Sequence, residues 1–307
     1  MKKHACHPRF QRGGKPATPV LSMQPRLQRC VQRYGWDLAA ADYEPLWQAQ
    51  LAVAHDELIA RAALATGERV LDVACGSGLI AFRAAVAVGP CGRVVGVDLS
   101  GRMVGSAAQR AVQHKVRNVR FERMDAERLS LPDASFDVAL CALGLMYLPD
   151  PEQAVREMRR VLRPGGRLVV AVWGERSRCA WSALFPIVDA AVTSDACPLF
   201  FRLGQGDMLA RACADAQFEA VELRRVATTL TWANADAACR AAFVGGPVAL
   251  AWSHFDEATR ARVRRRYVEA IAAWRRHRGY RLPGEFVIVT ATAPGDGQAI
   301  NRSNEPG

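Results

Sequence analysis

The ten residues Arg69-Val70-Leu71-Asp72-Val73-Ala74-Cys75-Gly76-Ser77-Gly78 combine a short apolar run, an acid and two closely spaced glycines. Val70, Leu71 and Val73 are too few for a helix and are stopped by glycine, which predicts a short buried strand. Leu79 to Ala87 then follows an apolar helical pattern. Strand, Gly-Ser-Gly turn and helix in that order make a ligand-binding corner. Glycine lacks a Cβ, so backbone N–H groups there can approach a ligand closely. The helix behind the turn offers unpaired N–H groups and the positive end of its dipole.

The same rhythm continues outward. Arg93–Asp98 reads as a strand followed by a helix over 101–114, and 118–122 as a strand leading into the polar loop Met124–Ser135. Phe136–Cys141 is a strand, 151–162 a helix, and Arg163-Pro164-Gly165-Gly166 a tight turn before a strand over 167–172. Alternating strands and helices imply a parallel sheet covered on both faces. Ligands of such sheets sit beyond the carboxyl ends of the strands. Gly76, Gly78, Asp98, Asp125 and Cys141 all fall at such ends. Further on, 205–216 reads as a helix, 218–232 as a bent strand, 233–278 as helical and Glu285–Ala293 as a last buried strand. Upstream, residues 37–65 are helical, with Tyr34, Trp36, Tyr43 and Trp47 clustered just before the first strand, as a lid over a site would have them.

Gly76-Ser77-Gly78-Leu79-Ile80-Ala81 also fits Gly-x-Gly-x-x-Gly/Ala, with Asp98 20 residues after Gly78, the fingerprint of a dinucleotide site. Three features point elsewhere. Asp72 lies inside the strand, where a carboxylate is costly unless it is paired. Asp125-Ala126 follows the third strand and can accept from an exocyclic amine. Leu162-Arg163-Pro164-Gly165-Gly166-Arg167-Leu168 precedes the fifth strand. On Val70–Gly78, Val94–Ser100, Met124–Leu131 and Ser135–Val172 the chain resembles the class I S-adenosylmethionine (SAM)-dependent methyltransferases. Its look is similar to the small-molecule group that includes the ubiquinone/menaquinone-biosynthesis enzymes.

The resemblance covers roughly residues 34–175 and implies SAM as cofactor. It implies that Asp72 and the Gly76–Gly78 loop hold the methionine part, that Asp98 binds the ribose hydroxyls, and that Leu99 and Met103 flank the adenine. Asp125 and Ala126 would meet the adenine edge. Ala74 in the turn and Cys141, by its place at a strand end, are counted with the cofactor-binding residues. Ala74 stands where the family usually has glycine, and its methyl tightens the site. The fold class expected is α/β: a Rossmann-like, seven-stranded, mostly parallel sheet with helices on both faces. The expected organisation is a basic, disordered tail over 1–33 and a methyltransferase domain over 34–293. Within that domain lie a helical lid (34–66), a SAM-binding core (67–175) and a helical insertion (233–280). A disordered tail over 294–307 would follow.

Composition bounds the rest. Half of the 307 residues are apolar and 23% are charged, as in ordinary globular enzymes, and no apolar run is long enough to span a membrane. The nine cysteines form no Cys-x-x-Cys pair and no zinc-spaced set with histidine, so no metal is expected and the thiols read as reduced and cytoplasmic. Net charge is +11, concentrated in residues 1–36 and in Arg260–Arg281. Such stripes are commonly solvated helix faces, and they leave weak association with a membrane surface open. Residues 1–22 have three readings: a disordered segment, an organelle targeting segment, or residues ahead of a start at Met23.

The acceptor is not written in any one motif. The stretch after the fourth strand, Cys141-Ala-Leu-Gly-Leu-Met-Tyr147, lacks the Asn/Asp-Pro-Pro-Tyr of DNA amino-methylation, which argues against nucleic acid. Pro90-Cys91 precedes the second strand, the wrong place for a cytosine nucleophile. Candidate acceptor-site residues are Tyr34, Tyr43, Met146, Tyr147 and His254, with Trp47, Trp173, Phe243 and Trp252 as further aromatics and His254 as the candidate base. Their apolar bias suggests a small-molecule acceptor such as a quinol, phenol or polyketide. The alternatives are an RNA or protein methyltransferase docking through the Arg-rich segment, a non-catalytic SAM-fold protein, and an NAD-binding oxidoreductase.

Overall fold

The structure is a computed structural model that describes residues 24–192 and 200–295. Its centre is a sheet of strand order β3-β2-β1-β4-β5-β8-β6. The strands are β1 (Arg69–Val73), β2 (Arg93–Asp98), β3 (Val119–Arg123), β4 (Phe136–Ala142), β5 (Leu162–Trp173), β6 (Glu219–Trp232) and β8 (Gly279–Thr292). β1 to β5 are mutually parallel, and β8 runs antiparallel to both β5 and β6. The seven-strand path matches the expected fold class, and a two-residue strand, β7 (Arg275–Arg276), is added against β8.

Both faces of the sheet are covered, which is why its strands read as continuous rather than alternating apolar runs. In β1, Leu71 and Val73 join the larger core with Val95, Val97, Ala139 and Val170. Val70 points the other way, with Val94, Val138 and Val169, against Ile80, Ala81 and Ala84 of helix α2 (Leu79–Val88). The same parity puts Asp72 on the α2 side. Helix α3 (Gly101–Gln113) is capped by Ser100, whose side chain accepts from Met103 N–H. Helix α4 (Pro151–Val161) begins with Asp150 accepting from Gln153 N–H and Pro151 in the first turn.

Three expectations change. Helix α1 runs from Pro25 to Ala62, so residues 25–33 of the expected tail are its first turns; Gln28 and Gln32 are buried there, tied to the fold rather than free of it. The Arg163–Gly166 turn does not precede β5 but bulges out of it, between the pairs Phe136–Leu162 and Val138–Arg167. Gly165 takes φ 71° there and donates its N–H to Ala293 O. The last strand starts at Gly279, not Glu285, because pairing with β6 carries it through Pro283 and Gly284. That Pro-Gly dipeptide looks like a turn in isolation, and the long ladder to Thr228 and Thr229 overrides it.

The late insertion is helical only in part. Helices α7 (Ala235–Phe243), α8 (Ala249–His254) and α9 (Glu257–Ala270) are followed by a hairpin in which Arg275 pairs with Tyr280 and Arg276 with Gly279. Helices α5 (Leu184–Asp189) and α6 (Met208–Asp215) complete the list. The expected tail residues 1–23 and 296–307 lie outside the described residues.

Candidate active site

The turn after β1 is built from left-handed backbone. Ala74 has φ 55°, Gly76 φ 54° and Gly78 φ 88°. Cys75 N–H donates to Val97 O at 2.9 Å, which pins the turn to β2. Gly76 N–H donates to Asp98 Oδ2 at 2.9 Å, and Ser100 N–H to Asp98 Oδ1 at 2.8 Å. Asp98 therefore bridges the β1–α2 turn and the start of α3, and each oxygen keeps a lone pair for another donor. A side chain at Gly78 would run into Phe82 and Phe121. Gly78 thus lets α2 begin close against the β3 side and sets the turn rather than facing a ligand.

Asp72 stands below this turn and is 1% exposed. Its Oδ2 has no hydrogen-bond partner among the described residues. Burial pushes its carboxyl up to about 8, with the Asp98 charge adding to the shift and the Ala81 N–H opposing it. Burial likewise raises Asp98, against the N–H groups of Ser100 and Gly76. Tyr43 of α1 is raised by burial and then by Asp98, Asp72 and Glu44, and its ring lies over Gly76. Buried Asp72 and half-buried Asp98, neither of them in an ion pair among the described residues, leave a site prepared for a positively charged ligand.

A single cavity opens above these groups. Asp72, Ala74, Gly76, Asp98, Leu99, Met103, Asp125 and Ala126 all line it, as do Tyr43, Met146 and Tyr147. Four expected residues do not. Gly78 holds the turn from behind. Cys141 is fully buried beneath Gly144, its thiol pushed up to about 12 by burial. Tyr34 lies off the cavity under the Arg33 guanidinium, 5.0 Å from its ring centre. His254 ends α8 exposed to solvent and away from the cavity, which removes it as a base. Phe243 and Trp252 stack on each other at 4.6 Å and are packing, not wall.

Several wall residues had no sequence signal of their own. Arg29, in the first turns of α1, pairs with Asp125 at 3.2 Å and also with the buried Glu127. Burial raises the Asp125 carboxyl, with Arg29 opposing. Asp37 of α1 accepts from Ser100 Oγ at 2.6 Å, and Glu44 accepts from Ser77 Oγ at 2.9 Å and from Arg110. α1 is thus strapped over the cavity by polar bonds to the loops it covers. His55 also lines the cavity, with its pKa lowered to about 4 by burial and by Arg83. The Leu143–Gly144 turn forms another wall, and a Cβ on Gly144 would overlap that of Ala74. The methyl on Ala74 is accommodated because residue 144 has none.

The rest of the wall is aromatic. Beside the turn, Trp36 meets Tyr43 and Tyr147 edge-on at 5.4 and 5.0 Å, and the far end is built of further indoles. Trp47, Trp173 and Trp181 pack together at 4.8 to 6.3 Å, and Gly245–Pro247 closes the wall. Among the described residues no group of three or more His, Cys, Asp or Glu could hold a metal ion, and no helix is long and apolar enough to cross a membrane.

Residues 64–195 match a family model described as a methyltransferase domain. The ubiquinone/menaquinone biosynthesis C-methyltransferase of Pseudomonas fluorescens (strain SBW25) is 38% identical over 140 residues, 43% of this chain and 55% of that enzyme. The chain thus spans about half the length of the curated relatives it matches. Among solved structures, Haemonchus contortus phosphoethanolamine N-methyltransferase 2, in complex with phosphomonomethylethanolamine and S-adenosylhomocysteine, aligns with TM-score 0.57 at 16% identity, covering 91% of this chain and 62% of that one. A [4+2]-cyclase aligns with TM-score 0.55 at 22% identity over 92% of this chain and 100% of its own.

Proposed function

From the premise that the chain carries a class I SAM-dependent methyltransferase domain, we propose that it moves a methyl group from SAM to a small, largely apolar aromatic acceptor, at carbon or oxygen. The observation that carries this reading is one cavity with two unlike ends. Buried Asp72, with one oxygen lacking a donor, and Asp98, held by two backbone N–H groups, rim one end, and a cage of Trp rings lines the other. The acid end fits SAM: Asp72 Oδ2 lacks a donor that the cationic methionine portion can supply, and the left-handed turn leaves backbone exposed beside it. Asp98 can take ribose hydroxyls on its spare lone pairs, Leu99 and Met103 can border the adenine, and Asp125 with Ala126 can meet its edge.

When bound, SAM supplies an electrophilic methyl on a sulfonium, so displacement needs alignment and dryness more than acid–base help. The chain's own residues provide both. α1 and the Gly245–Pro247 link close the cavity, and the indole faces fix the plane of a flat acceptor. His55 lines the wall too, but burial and Arg83 hold its pKa at about 4, so it stays neutral at physiological pH and is a poor proton acceptor, in keeping with a transfer that relies on alignment. The reading places the enzyme in the cytoplasm, a reducing compartment that suits thiols such as Cys75 and Cys141. The relative's name, a quinone-biosynthesis C-methyltransferase, favours quinol-like acceptors.

The test is transfer of labelled methyl from SAM to a panel of hydroquinones, phenols and small polar amines. Label should appear on the aromatic acceptors. Label confined to charged, highly polar acceptors would sink the reading, and so would a protein that SAM and S-adenosylhomocysteine fail to stabilise thermally.

A further inference from the structure

Trp181 sits in the 3-10 turn Ala180–Ala183, is 1% exposed and lines the cavity at its aromatic end. Its ring is held by Trp47, Trp173, Phe185, Phe200 and Phe201 at centroid separations of 4.8 to 6.0 Å. Its Nε1–H has no hydrogen-bond partner among the described residues. A buried indole N–H ordinarily finds an acceptor, because leaving it dry and unpaired is costly. Neighbouring Trp47 shows the ordinary solution: its Nε1–H donates to Ala241 O at 3.1 Å.

We propose that Trp181 selects the acceptor, its indole N–H donating to an oxygen carried by the aromatic ring that the cage receives. This deepens the aromatic-acceptor reading and rests on it. The group recognised is a phenolic hydroxyl, a phenolate or a quinone carbonyl, each of which offers the lone pair that Trp181 lacks. Trp47 and Trp173, whose rings lie against it, are uncharged, as are Leu51, Gly245 and Pro247 of the same lining, which suits an occupant that is otherwise neutral and apolar. An oxygen held there serves as a handle: it orients the ring and, where it is a phenol oxygen, the N–H favours the electron-rich oxyanion over the neutral hydroxyl. Trp232 is the natural control. Its Nε1–H is also buried and unpaired, yet it does not line the cavity, so no occupant can reach it.

The test is binding of 1-naphthol and of naphthalene, which differ by one oxygen, to the protein saturated with S-adenosylhomocysteine. Wild type should prefer 1-naphthol by about tenfold, the worth of one buried hydrogen bond. Trp181→Phe keeps a ring and removes the donor, and should reduce the preference to about twofold or less. Trp181→His restores an N–H and should recover part of it, and Trp232→Phe should leave it unchanged. Unaltered preference in Trp181→Phe, or equal loss in Trp232→Phe, overturns the role of Trp181 while the aromatic-acceptor reading stands. Failure of both ligands to bind wild type overturns that reading and this one together. If Trp181→Phe does not fold, a wild-type preference below about twofold overturns the proposal by itself.

Discussion

The acid end and the aromatic end of the cavity are built by different means. The acid end comes from strand ends and the turns that follow them: Asp72 to Gly78, Asp98 to Ser100, and Asp125 to Glu127. Its geometry is backbone geometry, three left-handed residues and a set of N–H bonds to Asp98. The aromatic end is assembled from side chains far apart in sequence, Trp47 of α1, Trp173 at the end of β5, Trp181, and the Gly245–Pro247 link. Backbone turns repeat as short motifs because their residue types are dictated by φ. A cage of rings can be made from many combinations of positions. The first end can therefore stay fixed while the second is rebuilt for another acceptor, and a [4+2]-cyclase on the same fold shows that the fold alone does not dictate the reaction.

Removing the charge at the acid end should have the largest effect. Asp72→Asn is expected to weaken SAM binding on the order of 100-fold, since a buried charge interaction is lost, while leaving binding of an aromatic such as 1-naphthol within about twofold. Calorimetry on both ligands checks this, and equal loss of both would dissolve the distinction between the ends. The same substitution should change how stability depends on pH. Asp72 titrates near 8 in the folded protein and at about 4 in an unfolded chain. The folded state therefore holds a proton that the unfolded state has released between those values. The stability this gives is full below pH 4 and is lost as pH rises through 8. Wild type should lose melting temperature from pH 6 to 9 more steeply than Asp72→Asn.

Next in size is the pH dependence of cofactor binding. A cation placed by Asp72 favours the ionised carboxylate, so affinity for SAM should fall by up to about tenfold per pH unit as pH drops below 8. The amino group of SAM titrates too, but equally for Asp72→Asn, so the difference between the two proteins isolates Asp72. Identical profiles would mean that Asp72 does not meet the cationic part. A smaller effect couples the turn to the wall above it. Gly144→Ala should destabilise by about 2 kcal/mol through overlap with the Ala74 methyl, and the double change with Ala74→Gly should recover about half of that. Additive effects in the four-variant cycle would remove this contact from the account. The smallest effect expected is none: His254→Ala should leave methyl transfer within about twofold, because His254 faces solvent off the cavity.

How much of this the sequence discloses follows the same division. The βα rhythm from 69 to 173 is legible because each strand is short, β-branched and punctuated by glycine or a turn, and so are Asp72, Asp98 and Asp125 at the strand ends. Cys141 satisfies the same positional rule but turns inward, since alternation along β4 decides its face and strand-end position alone does not. The first turns of α1 are hidden by composition: residues 25–33 are basic and acid-free like the segment before them, and their order comes from tertiary contacts, the pairing of Arg29 with Asp125 and Glu127 and the burial of Gln28 and Gln32. The extension of β8 through Pro283 is hidden for a similar reason, because a ladder partner 54 residues earlier, Thr229, outweighs local turn propensity. His254 misleads because residue type suggests a base, whereas only packing says which way the end of α8 faces.

The place of β8 in the sheet has a consequence for how the chain is made. β1 to β5 pair with one another and can register as they leave the ribosome. Among the described residues β6 pairs only with β8, and β8 alone covers the open edge of β5. Three helices and a hairpin strand are synthesised between β6 and β8. Throughout that interval two strand edges stand bare, the kind of surface that recruits other chains. Until β8 emerges, the nascent chain holds β5 and β6 apart with edges open to other chains, and a single late strand slotting between them closes both at once.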